Sequence, residues 1–297
     1  MGVCLSVLIP AYGYAEGVMK ILSSFRDDPP DEIEILIFDD SRDEQVSQLV
    51  SDFCRYYLGK LHYRRNRPGL GAVANWNSLL EQASGEYILL LHHDEYPLGK
   101  RFARRAIDLL NSAPEADVFV MECILRSSKG AERTHLPRVI QKLVLKYLPA
   151  YLFKRNIIGP TSCVIARRTL YPRFDEGLRW LVDVEAYYRL RQATVRWRVS
   201  GDLKIGSTLG RKDSITASIK DKLKDLNTQE RTYLSLKHPA AIRWLAPRQH
   251  WILNTLESIT WVTMRATTRL YYQFIYFFST ASISTSIFQR ASKNDHR

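Results

Sequence analysis

The first candidates for chemistry in this sequence follow the apolar run of residues 88–91 and are His92, His93, Asp94 and Glu95. Like charges crowded at the end of a strand cost free energy unless a cation, a proton or open water offsets them. Carboxylate oxygens suit Mg2+ and Mn2+, whereas imidazole suits Mn2+ better than Mg2+. The stretch therefore indicates either a divalent-metal site or a solvated turn that opens a helix.

Two other acidic pairs lie at positions where the fold could expose them to a ligand. Asp39 and Asp40 follow a second apolar run, residues 33–38, and they indicate either a binding edge or a plain turn after a strand. Asp183 and Glu185 lie in a stretch whose pattern predicts a helix. An acid at such a position could take a proton from a reacting hydroxyl, because a positioned carboxylate is a common general base.

The elements around these residues predict an α/β fold, with a mostly parallel sheet flanked by helices and a helical extension at the C-terminus. Apolar runs alternate with helical patterns, and nearly continuous apolar strands are typical of a parallel sheet covered on both faces. In such sheets ligands bind beyond the carboxyl ends of the strands. The polar clusters at residues 10–14, 39–43 and 92–95 should therefore converge on one crevice.

The composition is that of a folded, basic protein. Hydrophobic residues make up 45% and charged residues 25% of the 297 residues, which is close to ordinary globular usage. A net charge of +12 indicates an anionic partner. Nucleic acid is not expected, because the Arg and Lys residues are scattered and no recognition motif accompanies them. The four cysteines form no CxxC pair, which predicts buried thiols in a reducing compartment, and no secretory signal is expected.

Four segments in the first two thirds of the chain resemble, in this order, the inverting GT-A fold glycosyltransferases of family 2. They are LSVLIPAYGYAEGV, EILIFDDSRDE, LHYRRNRPGLGAVANWNSLLEQASGEYILLLHHDEYP and WLVDVEAYYRL. The resemblance implies a Rossmann-like catalytic domain over residues 1–205, with a donor-binding half to about residue 97 and an acceptor half from about residue 98. Residues 206–297 would form a basic loop and a helical extension. The implied reaction transfers a hexose-type sugar from a nucleotide-diphosphate sugar to an acceptor hydroxyl, with inversion.

By this resemblance the donor would be bound by a set of side chains from the first hundred residues, namely Pro10, Tyr12, Glu16, Asp39, Asp40, Arg65, Asn66, Asn75 and His93. The base and ribose need hydrogen-bond partners, and the diphosphate needs a cation and basic side chains. His93 could instead serve packing alone. Arg211 and Ser214 would lie in a loop that folds over the diphosphate, or in a plain solvated loop.

The family's metal motif is Asp-x-Asp, and the aligned residues here are His92, His93 and Asp94. Asp94 stands at the second aspartate, so the resemblance makes it the direct ligand of Mn2+ or Mg2+. His92 replaces the first aspartate. Glu95 either extends the ligand set or is a solvated carboxylate at the start of a helix.

On the acceptor side, the resemblance makes Asp183 the base that deprotonates the attacking hydroxyl, although the acid that precedes it in the family is Val182 here. Glu185 is the fallback base. Trp180 could stack on a sugar ring or pack in the core. The competing hypothesis is a non-catalytic nucleotide-sugar-binding protein, which has no need for an acid on the acceptor side. A nucleotidyltransferase is disfavoured, because residues 9–17 lack a glycine-rich loop with a lysine.

Residues 270–288 carry no charge and lie between Arg269 and Arg290. Their aromatic and polar composition fits an interfacial helix on an anionic leaflet better than a membrane span. The alternative is a helix that packs on the catalytic domain or on a second copy of the chain. The first interpretation predicts a cytoplasmic protein, peripheral on the inner face of the plasma membrane. Its acceptor would be a saccharide or a polyprenyl-linked saccharide, in the assembly of a bacterial-type surface polysaccharide or lipid-linked oligosaccharide.

Overall fold

The structure is a computed structural model and describes residues 2–26, 31–126, 132–208 and 222–244. The chain divides into a unit that ends at Ile242 and a second unit from Arg243 onward, and nearly all described residues belong to the first. Arg211, Ser214 and the uncharged segment 270–288 lie outside the described residues, so the predictions made for them stay predictions.

The first half of the described chain alternates strands and helices in the predicted order: β1 (Leu5–Ala11), α1 (Ala15–Arg26), β2 (Ile33–Asp39), α2 (Gln45–Cys54), β3 (Lys60–Arg65), α3 (Ala72–Gln82) and β4 (Tyr87–Leu90). These four strands pair in parallel in the order β3-β2-β1-β4. All seven residues of β1 and all four of β4 are buried, as expected for strands covered on both faces.

The second half adds five strands to the same sheet, together with further helices. In chain order these elements are β5 (Glu95–Leu98), α4 (Phe102–Asn111), β6 (Val118–Arg126), β7 (Glu132–Thr134), α5 (Arg138–Tyr147), β8 (Val164–Arg167), α6 (Val182–Ala193), β9 (Trp197–Thr208), α7 (Leu223–Lys237) and α8 (Pro239–Trp244). Strand β8 runs antiparallel to both β4 and β6, β5 runs antiparallel to β9, and β6 and β9 are parallel. The α/β fold with helices around the sheet is confirmed, and the sheet is mixed because its second half adds the antiparallel pairs.

Helices cover the sheet through apolar side chains. Helix α1 packs against α2, α4 and β5, and α3 packs against β1 and β2. Phe25 of α1 and Phe102 of α4 meet edge to face, with ring centroids 5.8 Å apart. Of the four cysteines, Cys123 and Cys163 are buried as expected, but Cys54 at the end of α2 is exposed.

The proposed division into residues 1–205 and 206–297 stays a prediction. Strand β9 continues to Thr208, and α7 forms hydrogen bonds with the chain segment that precedes α6. Within the parts of the chain that the structure describes, none of the helices combines the length and the apolar content needed to cross a bilayer.

Candidate active site

A cleft of about 660 Å³ opens beyond the carboxyl ends of β1, β2 and β4. Its wall includes Asp40 after β2, Asp94 after β4 and Asp183 at the start of α6. Pro10, Asp40 and Asp94 represent the three polar clusters that the strand order predicts to converge. The cleft therefore brings together acids that are far apart in sequence.

The side of the cleft formed by β2 and α3 is organised by a chain of hydrogen bonds around Asp40. Its Oδ1 accepts a bond from Asn66 Nδ2 at 2.7 Å, and its Oδ2 accepts one from the backbone N–H of Gly71 at 2.8 Å. Asn66 also donates to Asn75 Oδ1 at 3.2 Å, and Asn75 Nδ2 donates to the carbonyl oxygen of Phe38 at 2.9 Å. These bonds tie the start of α3 to the end of β2, so Asp40 and Asn75 are held at the cleft wall.

The two aspartates after β2 have different surroundings. Asp39 is fully buried, where it accepts hydrogen bonds from the Tyr63 hydroxyl and the Ser41 backbone N–H, each at 2.8 Å. Asp40 lines the cleft. Of the alternatives left open, the structure therefore places Asp40 rather than Asp39 within reach of a ligand.

Three further predicted donor residues lie away from the cleft wall. Arg65 donates to the carbonyl oxygens of residues 41–43 and pairs with Glu44, so it braces the loop after β2. Asn66 lies beneath Asp40, and Glu16 is exposed in the first turn of α1. The remaining predicted donor residues do line the cleft: Pro10, Tyr12, Asp40, Asn75 and His93.

His92, Asp94 and Glu95 form one cluster, in which one ligand atom from each residue lies within 4.8 Å of the others. Glu95 is the first residue of β5 and only 5% exposed, so the interpretation as a solvated carboxylate at a helix start is wrong. Its Oε2 has no hydrogen-bond partner among the described residues. Burial, and then the charge of Asp94, raise the pKa of Glu95 well above its ordinary value. An orphaned buried carboxylate oxygen beside an acid and an imidazole fits a divalent cation.

His92 is held in place by two neighbours that the sequence did not single out. Its ring stacks on Trp76 with centroids 4.6 Å apart, and its Nε2 lies 3.2 Å from Thr161 Oγ1. Burial lowers the pKa of His92 to about 4, so the ring is neutral, as a metal ligand must be. His93 turns the other way, with its Nδ1 3.3 Å from the carbonyl oxygen of Pro10.

Asp183 stands in the first turn of α6, on the cleft wall. Its Oδ2 accepts a hydrogen bond from Asn156 Nδ2 at 2.6 Å, and its Oδ1 accepts one from the backbone N–H of Val184 at 2.8 Å. Burial raises the pKa of Asp183 to about 6, against the opposing effect of these hydrogen bonds. A carboxyl group with that pKa is a competent proton acceptor near neutral pH.

Glu185 lies outside the cleft and is fully buried. Both of its oxygens accept bonds from Arg189, and its Oε1 lies 2.8 Å from Lys237 Nζ and 3.0 Å from His238 Nε2. Burial alone would raise the pKa of Glu185, but Arg189 and Lys237 outweigh it and lower the pKa. This carboxylate ties α6 to α7, so the geometry does not support the fallback base.

Glu230 of α7 supports the cleft from outside the predicted site. It is buried, and its carboxylate accepts bonds from the backbone N–H groups of Arg179 (2.6 Å), Trp180 (3.1 Å) and Leu181 (2.8 Å). Arg179 and Trp180 line the cleft. No local pattern points to Glu230, because it lies 50 residues from the loop that it holds. Trp76, in contrast, is one residue from Asn75, so the quoted segment already contained it.

The sequence model of Glycosyl transferase family 2 matches residues 6–174, more than half of the chain. The chain belongs to this family. The matched residues include β1 to β4 and the metal-type cluster, and they end before α6 and Asp183. Most of the residues that line the cleft lie within the match.

Relatives and solved structures agree with this assignment. The chain is 28% identical over 204 residues to Uncharacterized protein MT1568 of Mycobacterium tuberculosis (strain CDC 1551 / Oshkosh), covering 63% of this chain and 61% of that protein. It is 29% identical over 93 residues to the poly(ribitol-phosphate) beta-N-acetylglucosaminyltransferase TarS of Staphylococcus aureus (strain Mu50 / ATCC 700699), covering 31% of this chain and 16% of TarS. The chain thus spans about three fifths or less of these curated relatives.

Two solved structures share the fold. The structure of S. aureus TarS 1-349 in complex with UDP-GlcNAc superimposes with a TM-score of 0.58 at 20% identity, covering 72% of this chain and 61% of that one. The structure of GalNAc-T7 with UDP, GalNAc and Mn2+ superimposes with a TM-score of 0.51 at 14% identity, covering 69% and 44%. At these identities the likeness establishes the GT-A fold and nothing finer.

Proposed function

We propose that this chain is an inverting glycosyltransferase that moves a sugar from a nucleotide-diphosphate sugar to an acceptor hydroxyl. The observation that carries the proposal is the placement of Asp40, Asp94 and Asp183 on one cleft of about 660 Å³. A donor site, a metal-type cluster and a base on the far wall are the parts that such a transfer needs. The TarS structure, whose printed ligand is UDP-GlcNAc, supports a uridine diphosphate sugar as the first donor to test.

The donor would lie along the wall formed by β1, β2 and α3. Asp40 and Asn75 offer hydrogen-bonding groups for the nucleoside, and Tyr12, which is 55% exposed at the cleft, offers a ring face for the base. Arg42 also lines the cleft and supplies positive charge for the diphosphate.

The cluster of His92, Asp94 and Glu95 would hold the divalent cation, Mn2+ or Mg2+. When bound, such a cation stabilises the negative charge that grows on the leaving diphosphate. The GalNAc-T7 structure with UDP and Mn2+ supports the same expectation for a GT-A fold. His92 is neutral and fixed by Trp76 and Thr161, so it is ready to donate a lone pair.

Asp183 would act as the base. The acceptor hydroxyl gives its proton to the Asp183 carboxylate, its oxygen forms the new bond to the anomeric carbon, and the bond from that carbon to the diphosphate oxygen breaks on the opposite face. Asn156 and the Val184 N–H fix the carboxylate during this step. A saccharide, free or linked to a lipid, is the acceptor class that the adjacent Trp180 ring favours.

The test replaces Asp183 by Asn and measures transfer and donor binding separately, with UDP-GlcNAc and other nucleotide sugars as probes. We expect transfer to fall by about a hundred- to ten-thousandfold, because the base is lost, while the donor dissociation constant stays within about twofold. Asp108→Asn, at an exposed position on α4, is the matched control. Undiminished transfer by Asp183→Asn would refute the assigned base. Donor binding by the unaltered chain with no turnover on any saccharide would instead support the non-catalytic binding protein.

A further inference from the structure

Helix α5 (Arg138–Tyr147) turns an apolar stripe toward solvent. Val139, Leu143 and Tyr147 are 68%, 54% and 62% exposed, and their spacing of four residues aligns them on one face. A surface helix ordinarily packs its apolar stripe against the core. Here the residues packed inward are Gln141 and Leu145, which are both buried.

The stripe lies on the side of α5 that points away from the protein. At about 100° per residue, the direction midway between Gln141 and Leu145 is about 180° from Leu143. Single exposed apolar residues are ordinary on protein surfaces, but a contiguous row of them marks an interaction surface.

A row of basic residues runs beside the stripe. Arg138, Lys142 and Lys146 each precede one of its apolar residues, and all three line a groove of about 730 Å³ between α5 and the start of β9. Arg198 adds a further positive charge, and the acids along the described wall of the groove are Glu115 and Asp202. The flank of the apolar stripe is therefore strongly positive.

We propose that this surface, called here the α5 face and made of Arg138, Val139, Lys142, Leu143, Lys146 and Tyr147, docks on an anionic lipid bilayer. A helix that lies in the plane of a membrane buries its apolar residues at the level of the headgroups and acyl chains. Its basic residues then meet the lipid phosphates, each contributing to the attraction. The α5 face has one apolar row and one basic row side by side, so each row can meet the part of the bilayer that suits it.

Two other kinds of partner, a second copy of the chain and a soluble polyanion, fit this face less well. A symmetric contact with a second copy of the chain would bring the same patch of both copies together, so the basic rows would repel one another. A nucleic acid or other soluble polyanion would be held by the basic row but would leave the three apolar side chains in water. A bilayer uses both rows at once.

The inner side of α5 connects the α5 face to the cleft. Gln141 Nε2 donates to the carbonyl oxygen of Ile157 at 2.9 Å, and the preceding residue, Asn156, donates to Asp183. If the proposed function holds, docking would set the acceptor side of the cleft near the lipid surface, which suits a lipid-linked acceptor. Only this last step rests on the proposed function.

The test measures binding of the full chain to vesicles of phosphatidylcholine, with or without phosphatidylglycerol. We expect binding only to the anionic vesicles, and a loss of about thirtyfold in affinity for Lys142→Gln/Lys146→Gln, because each lysine near such a surface contributes about a factor of five. Lys222→Gln/Lys224→Gln, two exposed lysines at the start of α7, is the matched control and should change the affinity by less than about threefold. Equal losses in both pairs would contradict a specific face.

A fluorophore sensitive to its surroundings, attached to Leu143→Cys, tests insertion directly. The exposed Cys54 is replaced by Ser, and the Cys54→Ser chain without the new cysteine gives the blank. We expect the emission to shift to the blue on anionic vesicles, while the same fluorophore at Leu58→Cys, a site 93% exposed, stays unchanged.

An unshifted probe at position 143 would overturn the proposal even if another segment bound the vesicles. Binding of inorganic polyphosphate without vesicle binding, or self-association that requires Leu143, would overturn it too. Donor binding and turnover do not enter these readouts, so a failure here is distinct from a failure of the proposed function.

Discussion

The two walls of the cleft are built in different ways. The wall proposed to bind the donor, called here the donor wall, is held by Asp40, Asn66 and Asn75, whose hydrogen bonds join the ends of β2 and β3 to α3. The wall proposed to face the acceptor, called here the acceptor wall, is held by groups from later parts of the chain. Asp183 is held by Asn156, and the loop before it is held by Glu230 from α7.

This difference suggests that the two walls can be separated by experiment. A sheet edge fixes the donor wall through regular strand pairing, whereas a few buried hydrogen bonds fix the acceptor wall. Substitutions on one wall should therefore leave the function of the other nearly intact, and the exception should be the metal-type cluster that both walls use.

Among the variants that test this comparison, the largest effect is expected at that shared cluster. Asp94→Ala removes a carboxylate from the group of His92, Asp94 and Glu95, and transfer should fall by about a thousandfold, because a cation at the leaving group is worth several kcal/mol. Removing divalent metal from the unaltered chain with a chelator should give a similar loss, and adding Mn2+ should restore it.

Asp108→Ala, at an exposed site on α4, is the control for the Asp94 variant and should behave like the unaltered chain. Donor binding, measured by calorimetry with UDP-GlcNAc and with or without Mn2+, should lose its metal dependence in Asp94→Ala alone. Metal-independent donor binding by the unaltered chain would remove the cluster from the mechanism.

The sequence predicts that the polar ends of the apolar strands meet at one cleft, because they lie at the same edge of the sheet. Asp40 and Asp94 follow buried runs, and parallel strands must bring such positions together. Which of two adjacent aspartates faces the ligand was open, because that depends on whether the Tyr63 hydroxyl is near enough to hold Asp39. Whether Glu95 is a ligand or a solvated carboxylate was also open, because nothing in the sequence shows that a new strand begins there.

The acceptor wall could be predicted only in part. Asp183 carries a local helical context that matches a motif, but its partner Asn156 lies in an irregular stretch. Glu230 was missed, because a buried carboxylate that binds three backbone N–H groups leaves no periodic trace in the sequence. The apolar run that ends at Arg167 does indicate a strand, but the antiparallel direction of β8 between β4 and β6 could not be predicted, since short apolar runs carry no information on strand direction.

Two variants should show that the two walls affect different kinetic quantities. Glu230→Gln weakens the anchor of residues 179–181, so we expect kcat to fall by about ten- to a hundredfold, as for a small misplacement of a catalytic wall, with donor affinity unchanged. Asn66→Ala should do the reverse, raising the donor dissociation constant by about tenfold with little effect on kcat, because it loosens Asp40.

The measurement is a split of kcat from donor affinity for both variants, alongside the free energy of unfolding. Glu230→Asp serves as the conservative partner of Glu230→Gln and should recover part of the lost kcat, since it keeps the charge. If Glu230 served stability alone, both of its variants would unfold more easily while the folded fraction kept its kcat. Parallel changes in kcat and donor affinity in Glu230→Gln and Asn66→Ala would show that the walls are coupled.

The smallest effect concerns pH and the acceptor wall alone. Since a base must be deprotonated, transfer should rise with pH through about 6, the pKa of Asp183, and should be about tenfold lower at pH 5 than on the plateau.

The raised pKa also means that the folded state binds the Asp183 proton more tightly than the unfolded state. The stabilisation that this proton brings is present below about pH 4 and is lost as pH rises through 6, by about 3 kcal/mol. Asp183→Asn carries no such charge, so its free energy of unfolding should exceed that of the unaltered chain at pH 8 and converge with it at pH 4. Chemical denaturation at the two pH values, with Asp108→Asn as the reference, measures the difference, and an equal gap at both would show that Asp183 does not titrate in this range.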